Sequence, residues 1–219
     1  MKVFLALAIV LAMVLVAESK LTNKDRKSFL KSINKLRSQV AKGKVANNQT
    51  GANLPKASKM NQLVWSKSLE KLALKLISSC NFIFSSGMGR YKVLTGNVST
   101  SVLLSNATTF WSEQFAKYGY SADLIFNGTK FFEYDDDGYF GMYSYAQAIW
   151  GSSSRVGCES FSCASNSTTL ICAFSGVGTL EGEKIYKTGK KQKCGKGRKA
   201  IKKTRLCKAK GKKGRAIQK

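Results

Sequence analysis

The 219-residue sequence contains no histidine. Sites that depend on an imidazole are therefore excluded, including Ser-His-Asp and Cys-His triads, histidine general bases and His-Glu-x-x-His zinc sites. Acidic residues are also few, since the chain has twelve and three of them are consecutive at 135–137. This leaves little material for the paired carboxylates of a glycosidase. We therefore predict that the protein is not an enzyme and uses no cofactor.

The sequence also lacks an apolar run of about 18 residues, the length that a membrane-spanning helix requires. The longest run, Val3–Val16, follows Met1-Lys2 and precedes Ala17-Glu18-Ser19. A charged start, a short apolar stretch and small residues are typical of a secretory signal peptide. We expect residues 1–19 to be removed and the mature protein to be secreted, extracellular and not membrane-spanning. An uncleaved signal anchor is the alternative.

Six cysteines are present, and an even number in a secreted chain favours three disulfides over metal ligands or a free catalytic thiol. The sequence alone leaves fifteen pairings open. Five Asn-x-Ser/Thr sequons also fit a secreted chain and predict N-glycans on surface loops. They are Asn48, Asn97, Asn106, Asn127 and Asn166.

Positive charge is concentrated at the C-terminal end. Residues 187–219 contain sixteen lysines and arginines and no acid, whereas residues 1–186 carry a net charge of +9. Because this end has few apolar residues, it is predicted to be a basic tail without a core of its own, following a domain at 20–186. The tail is expected to attract a polyanion, through Lys190, Lys191, Lys193, Lys196, Arg198, Lys199, Lys202, Lys203, Arg205, Lys208, Lys210, Lys212, Lys213 and Arg215.

Sulfated glycosaminoglycans are the polyanions that best suit a secreted protein. Specific nucleic-acid binding is not expected, because the tail lacks aromatic residues that stack on bases. Anionic lipid is an alternative, although no strong amphipathic pattern favours insertion. A solvated tail without any partner is the remaining alternative.

Hydrophobic spacing predicts three helices. The first starts at Thr22, which caps it ahead of Asp25, and its apolar face, which leaves Arg37 outside, consists of Phe29, Ile33, Leu36 and Val40. The second ends near Cys80 and has an apolar face of Leu69, Leu72 and Leu76. The third runs over Val102–Tyr118.

The run Tyr143–Trp150 is rich in aromatic residues and strand-like, and we place it at the centre of the fold. Ser154–Cys163 and Thr168–Ala173 are predicted to pair as a hairpin. Residues 81–101 are interpreted as a loop with a short strand or turn. The run Asp135–Gly138 is interpreted as a solvated acidic turn, because the alternative, an EF-hand calcium loop, needs alternating ligands and a distal glutamate.

Several motifs occur in the order that one known family shows. Residues 143–150 and the following Arg155-Val156-Gly157-Cys158 resemble G-H-Y-T-Q-x-x-W and x-V-G-C, the signature of the cysteine-rich secretory, antigen-five and pathogenesis-related (CAP) superfamily. Ile33–Arg37 resembles its H-N-x-x-R motif, and Trp111–Tyr118 resembles W-x-x-E-x-x-x-Y. The matches extend from residue 22 to residue 186 and look most like secreted venom allergen-like proteins of nematodes.

The resemblance implies an α+β fold, a disulfide-stabilised three-layer α-β-α sandwich. It also implies the pairs Cys80–Cys163 and Cys158–Cys172, which leaves Cys194 with Cys207. In members with an intact cleft, two histidines and two glutamates can hold a divalent metal. Here the four positions hold Ile33, Gly96, Gln114 and Ser144, so a degenerate cleft without metal is expected.

The function that the resemblance implies is a secreted interaction protein that contacts an extracellular protein or glycan. An immunomodulatory effector role follows from the parasite members of the family. The alternative is a carrier of a small apolar ligand, a sterol or a fatty acid.

Overall fold

The computed structural model describes residues 21–77, 86–93, 98–133, 136–163 and 167–210, without the side chains of residues 93, 132, 133, 136–138 and 163. The described helices are α1 (Asn23–Ala41), α2 (Lys67–Ile77), α3 (Thr100–Tyr118), a 3-10 helix (Gly128–Glu133) and α4 (Asp136–Ala148). The strands are β1 (Ala46–Asn47), β2 (Ala52–Asn53), β3 (Ala57–Lys59), β4 (Val64–Trp65), β5 (Met88–Val93), β6 (Arg155–Cys163), β7 (Ser167–Phe174), β8 (Lys187–Thr188), β9 (Arg198–Ile201) and β10 (Leu206–Ala209).

A four-stranded sheet in the order β4-β6-β7-β5 forms the middle layer. Helix α2 packs on one face against β6 and β7, and α3 and α4 pack on the other face, with α1 against α3. Gly157 of β6 permits the close approach of α2, because a Cβ there would lie 2.1 Å from the backbone nitrogen of Glu70. The three-layer α-β-α sandwich expected from the resemblance is therefore confirmed.

Helix α1 forms where its sequence predicts it. The Thr22 hydroxyl accepts from the Asp25 N–H, and the Asp25 carboxylate accepts from the Thr22 N–H, which is a capping box. Its apolar face is buried against the main core, and all four predicted members belong to it, namely Phe29, Ile33, Leu36 and Val40. At the start of the helix, Arg26 forms a two-pronged ion pair with Glu70 of α2.

The prediction that Arg37 lies outside the buried face is wrong. Its guanidinium is fully buried and donates five hydrogen bonds of 2.6–3.2 Å to four backbone carbonyls, those of Asn61, Ala148, Trp150 and Ser153. Burial, with a smaller effect of the Arg198 charge, lowers the pKa of Arg37 to about 9. One side chain thus joins α1 to two loops that the sequence separates by more than 85 residues.

The aromatic run Tyr143–Trp150 is not a strand. Most of it is the second half of α4, and Met142, Tyr145, Ala146 and Ile149 are all fully buried. Their i, i+3, i+4, i+7 spacing is that of one helix face. Ser144, Gln147 and Ala148 are buried as well, so the second half of α4 is buried on nearly all sides. The helical spacing of its apolar residues is therefore hard to recognise in the sequence, and its aromatic residues also favour strands.

The apolar face of α2 is rotated from the predicted one. Ala73 and Ile77 are its buried residues, Leu69 and Leu76 are partly buried, and Leu72 is 42% exposed. The predicted end near Cys80, and with it the pair Cys80–Cys163, lies outside the described residues and side chains.

The predicted hairpin is confirmed, because β6 and β7 pair antiparallel from Val156 opposite Phe174 to Cys163 opposite Ser167. The disulfide between Cys158 and Cys172 joins directly opposed residues of the two strands. The interpretation of residues 81–101 is consistent with β5, which is a short strand. The interpretation of Asp135–Gly138 as a turn is wrong for Asp136–Gly138, whose backbone forms the start of α4. Asp135 and the side chains of the two following aspartates lie outside what the structure describes.

Residues 187–210, the C-terminal segment, do not behave as a tail without a core. Strand β8 pairs with β3, β9 pairs with β10, and the Cys194–Cys207 disulfide closes the segment. Leu206 belongs to the main core, and the Cys207 N–H donates to the Met60 carbonyl while its carbonyl accepts from the Gln62 N–H. The buried side chains of Leu206 and Cys207, together with main-chain pairing, hold the segment against the domain.

None of the helices in the described ranges is long and apolar enough to cross a membrane.

Candidate functional site

At the described positions that the resemblance assigns to a metal cleft, the side chains are engaged in packing and internal hydrogen bonds. Ser144 on α4 is fully buried, and its hydroxyl accepts from the Arg90 N–H at 2.8 Å and donates to the Arg90 carbonyl at 3.3 Å. The indole of Trp111 on α3 donates to the same carbonyl at 2.7 Å. Ser144 therefore serves as a structural link between α4 and β5.

The other cleft positions offer no ligand set either. Ile33 is fully buried in the core and has no donor atom for a metal. The side chain of Gln114 lies against Gly141, where a Cβ would come within 2.2 Å of its Cγ. Gly96 lies outside the described residues. In the part of the chain that the structure describes, no group of three or more metal-ligating side chains is found, so the residues present do not fit a divalent metal.

Three of the five predicted glycosylation sites can be placed. Asn48 is exposed on the loop between β1 and β2. Asn106 is also exposed but lies in the middle of α3, not on a loop. Asn127 is half-buried, and its side-chain oxygen accepts from Thr129 and the Lys130 N–H at the start of the 3-10 helix. Asn97 and Asn166 lie outside the described residues.

The C-terminal segment carries a dense set of exposed positive charges. All ten of its lysines are exposed, and it contains no acid. Arg205, grouped by sequence with the polyanion-binding residues, instead donates to the backbone carbonyls of Ala41, Ala57, Gly189 and Lys190. Arg198 similarly donates to the Cys207 carbonyl. These arginines stabilise the segment, whereas its lysines face solvent.

A groove of about 860 Å³ lies between α1, residues 62–64 and the end of the C-terminal segment. We call it the basic groove, because six lysines and no acid line it, namely Lys27, Lys31, Lys35, Lys42, Lys44 and Lys208. The other lining residues are polar or aliphatic, and they include Asn34, Gln39, Val64 and Thr204. The sequence alone does not reveal this groove, because its second wall includes residues more than 160 positions after α1.

Comparison with known proteins places these features in a family. The model of the Cysteine-rich secretory protein family (CAP) matches residues 30–174, which is more than half of the chain. Ancylostoma secreted protein of Ancylostoma caninum is 25% identical over 185 residues, which cover 82% of this chain and 40% of that protein. The chain thus spans well under two thirds of that relative.

Two further matches cover most of both partners. Venom allergen 5 of Dolichovespula arenaria is 25% identical over 176 residues, covering 75% of this chain and 81% of the allergen. The crystal structure of NaASP2 with Zn2+ superposes with a TM-score of 0.69 at 26% identity, over 85% of this chain and 96% of that one.

Proposed function

The chain belongs to the cysteine-rich secretory protein family, and from this premise we propose that it is a secreted interaction protein without catalytic activity, held to anionic glycans by its C-terminal segment. The observation that carries the glycan binding is the set of ten exposed lysines on a folded, disulfide-closed segment that contains no acid. Secretion is supported by the predicted signal at residues 1–19 and by relatives whose names include secreted proteins and venom allergens.

The lack of catalysis is supported by chemistry that the chain does not possess. It has no imidazole, and two of the four cleft positions are fully buried, Ile33 in apolar packing and Ser144 in hydrogen bonds to Arg90. Although the structure of NaASP2 contains Zn2+, the four positions that the resemblance assigns to a metal would give zinc neither imidazole nor carboxylate ligands in this chain. Metal analysis of the purified protein is expected to find far less than one zinc per chain.

The polyanion proposal is supported by the lack of internal neutralisation. The ion pairs found among the described residues, Arg26–Glu70 and Lys67–Glu70, are both in the domain. Exposed cations without carboxylate partners create a positive potential that raises the association rate of a dense polyanion. A folded segment also holds its lysines in place, so less conformational entropy is lost on binding than for a free tail.

Removal of the whole segment is a poor test, because Leu206 and Arg205 belong to the folded structure. We therefore choose Lys190→Gln, Lys191→Gln, Lys196→Gln and Lys199→Gln together, all at exposed positions. Retention on a heparin column should fall, and the slope of log affinity against log salt should decrease by about one per lysine that contacts the polyanion.

The matched control replaces four exposed lysines of the domain, Lys24, Lys71, Lys130 and Lys184, with glutamine. It has the same net charge as the test variant. If both variants elute at the same salt concentration, net charge alone explains retention and the segment has no special role. If the unmodified protein is not retained at physiological salt, the proposal is wrong.

From the family alone, we propose that the anchored protein contacts an extracellular protein. On the same basis we propose an immunomodulatory effector role. The alternative, a carrier of a sterol or fatty acid, needs an apolar cavity. A lipid-transfer assay with the full chain separates the two, since only a carrier moves lipid between vesicles.

A further inference from the structure

Resting on the proposed glycan binding, we propose that the basic groove is the specific site of that binding and that it takes a sulfated oligosaccharide aligned with α1. The exposed lysines elsewhere on the C-terminal segment would then attract the polymer, and the groove would position it.

Three lysines of α1 and Lys42, the residue that follows the helix, form one stripe along the groove. Lys27, Lys31, Lys35 and Lys42 fall within an arc of about 80° at 100° per residue, and they span about 22 Å at 1.5 Å per residue. A row of cations of this length matches a linear polymer with repeated negative groups better than it matches a single small anion.

The stripe is unfavourable without a ligand. Lysines four residues apart on a helix repel each other, and the groove lining contains no aspartate or glutamate that could compensate. The acid at the start of α1, Asp25, is already bonded to Thr22 and Ser101. A bound sulfated chain would reduce this repulsion, and the reduction would favour the bound state.

The exposed lining of the groove is more apolar than polar, but its lysines contribute alkyl stems that end in charged groups rather than a continuous apolar floor for a lipid chain. Of its aliphatic residues, Leu63 and Leu206 are each only 1% exposed, so mainly Val64 and the partly buried Leu30 present apolar surface. Burial of an alkyl chain depends on apolar area along its whole length. Among the polar groups of the lining, Asn34 and Ser38 are already bonded to the Leu63 main chain and the Thr204 carbonyl. The exposed Gln39 amide can hydrogen-bond to sugar hydroxyls.

The second wall of the groove exists only because the C-terminal segment is docked. The Ser38 hydroxyl of α1 donates to the Thr204 carbonyl at 2.7 Å, and Leu206 enters the core beneath the groove. This places Lys208 opposite the helix, in a groove that the domain and the segment form together.

The test compares Lys31→Gln/Lys35→Gln in the full-length protein with the control Lys71→Gln/Lys130→Gln, in which both residues are exposed and outside the groove. The probe is a heparin-derived dodecasaccharide, titrated at several salt concentrations. The groove variant should bind about tenfold or more weakly at physiological salt, with a salt slope reduced by about two, while the control stays near the unmodified protein.

A second measurement does not depend on a variant. Acetylation of lysines, followed by mass spectrometry, should show protection of Lys27, Lys31, Lys35 and Lys208 by the dodecasaccharide, and no protection of Lys71 or Lys130.

Failure of the groove and failure of the proposed function give different results. If the unmodified protein binds heparin but the groove variant equals the control, the groove is not the site and the proposed function stands. If the unmodified protein does not bind, both are wrong. Equal affinity for fully desulfated heparin, or binding of anionic phospholipid vesicles in place of the dodecasaccharide, would also overturn the assignment.

Discussion

Arg37 in the domain and Arg205 in the C-terminal segment both hold main-chain segments together, but they differ in burial. Each guanidinium donates to four backbone carbonyls and so joins chain segments that are distant in sequence. Arg37 is completely buried among α1 and two loops, whereas Arg205 is only partly buried at the surface. We infer that Arg37 contributes to the stability of the whole domain. The segment that Arg205 holds can instead open locally, with a smaller free-energy change.

The largest effect is expected for Arg37→Ala. It removes the Arg37 donors from the buried carbonyls of Asn61, Ala148 and Ser153, at about 1–3 kcal/mol each before relaxation. The Trp150 carbonyl keeps the Ser153 N–H as a donor. The free energy of unfolding should fall by more than about 4 kcal/mol. Urea denaturation measures this. Arg37→Met keeps most of the volume without the donors, so full stability of that variant would show that the carbonyl network is not the cause.

The two described disulfides give the next comparison. They close loops of similar length, with sequence separations of 14 and 13, so chain entropy alone predicts similar losses. Cys158→Ala/Cys172→Ala also disturbs buried core and should cost about 2–5 kcal/mol. Cys194→Ala/Cys207→Ala should cost less, because the segment can separate from a domain that remains folded. Equal losses in thermal denaturation would mean that segment and domain unfold as one unit.

Arg205→Ala should loosen the segment but not unfold the domain. We expect about 1–3 kcal/mol less protection of the β9–β10 amides in hydrogen exchange, with little change in the sheet. Arg205 has a positive φ of 55°, which costs an L-residue about 1–2 kcal/mol. Arg205→Gly removes the same side chain and this strain, so it should be less destabilised than the alanine variant.

The smallest effect concerns pH. Burial raises the pKa of Glu70, but hydrogen bonds from Arg26, Trp65 and Lys67 outweigh it, so the net direction is downward. A lowered folded pKa contributes stability above the unfolded value of about 4.3, and that stability is lost as pH falls through the folded value. The difference in stability between the protein and Glu70→Gln should therefore shrink from pH 6 to pH 3. The effect of Arg205→Ala, whose acceptors do not titrate, should stay constant.

What the sequence could predict depends on how local the signal is. Helix α1 was predictable because the Thr22–Asp25 capping box and the apolar spacing both lie within the helix. The i, i+3, i+4, i+7 pattern from Met142 to Ile149 also predicts a helix, but buried polar neighbours such as Ser144 obscure it. The roles of Arg37 and Arg205 could not be predicted, because their acceptors are main-chain atoms that carry no sequence signal.

The candidate site divides in the same way. The absence of ligands at Ile33, Gln114 and Ser144 is visible in the residue types alone. The basic groove is not, because the rotation of α1 and the docking of the C-terminal segment together decide which lysines share a surface.

The bonds of Ser144 have a consequence for self-association. Strand β5 is an edge of the four-stranded sheet, and an edge presents main-chain donors and acceptors to which a strand of another molecule can add. At the middle of this edge, the N–H of Arg90 is bonded to Ser144 and its carbonyl to Ser144 and Trp111. The Ser144 hydroxyl thus occupies main-chain groups of Arg90, and its removal would make the middle of this edge more accessible to a strand of a second molecule.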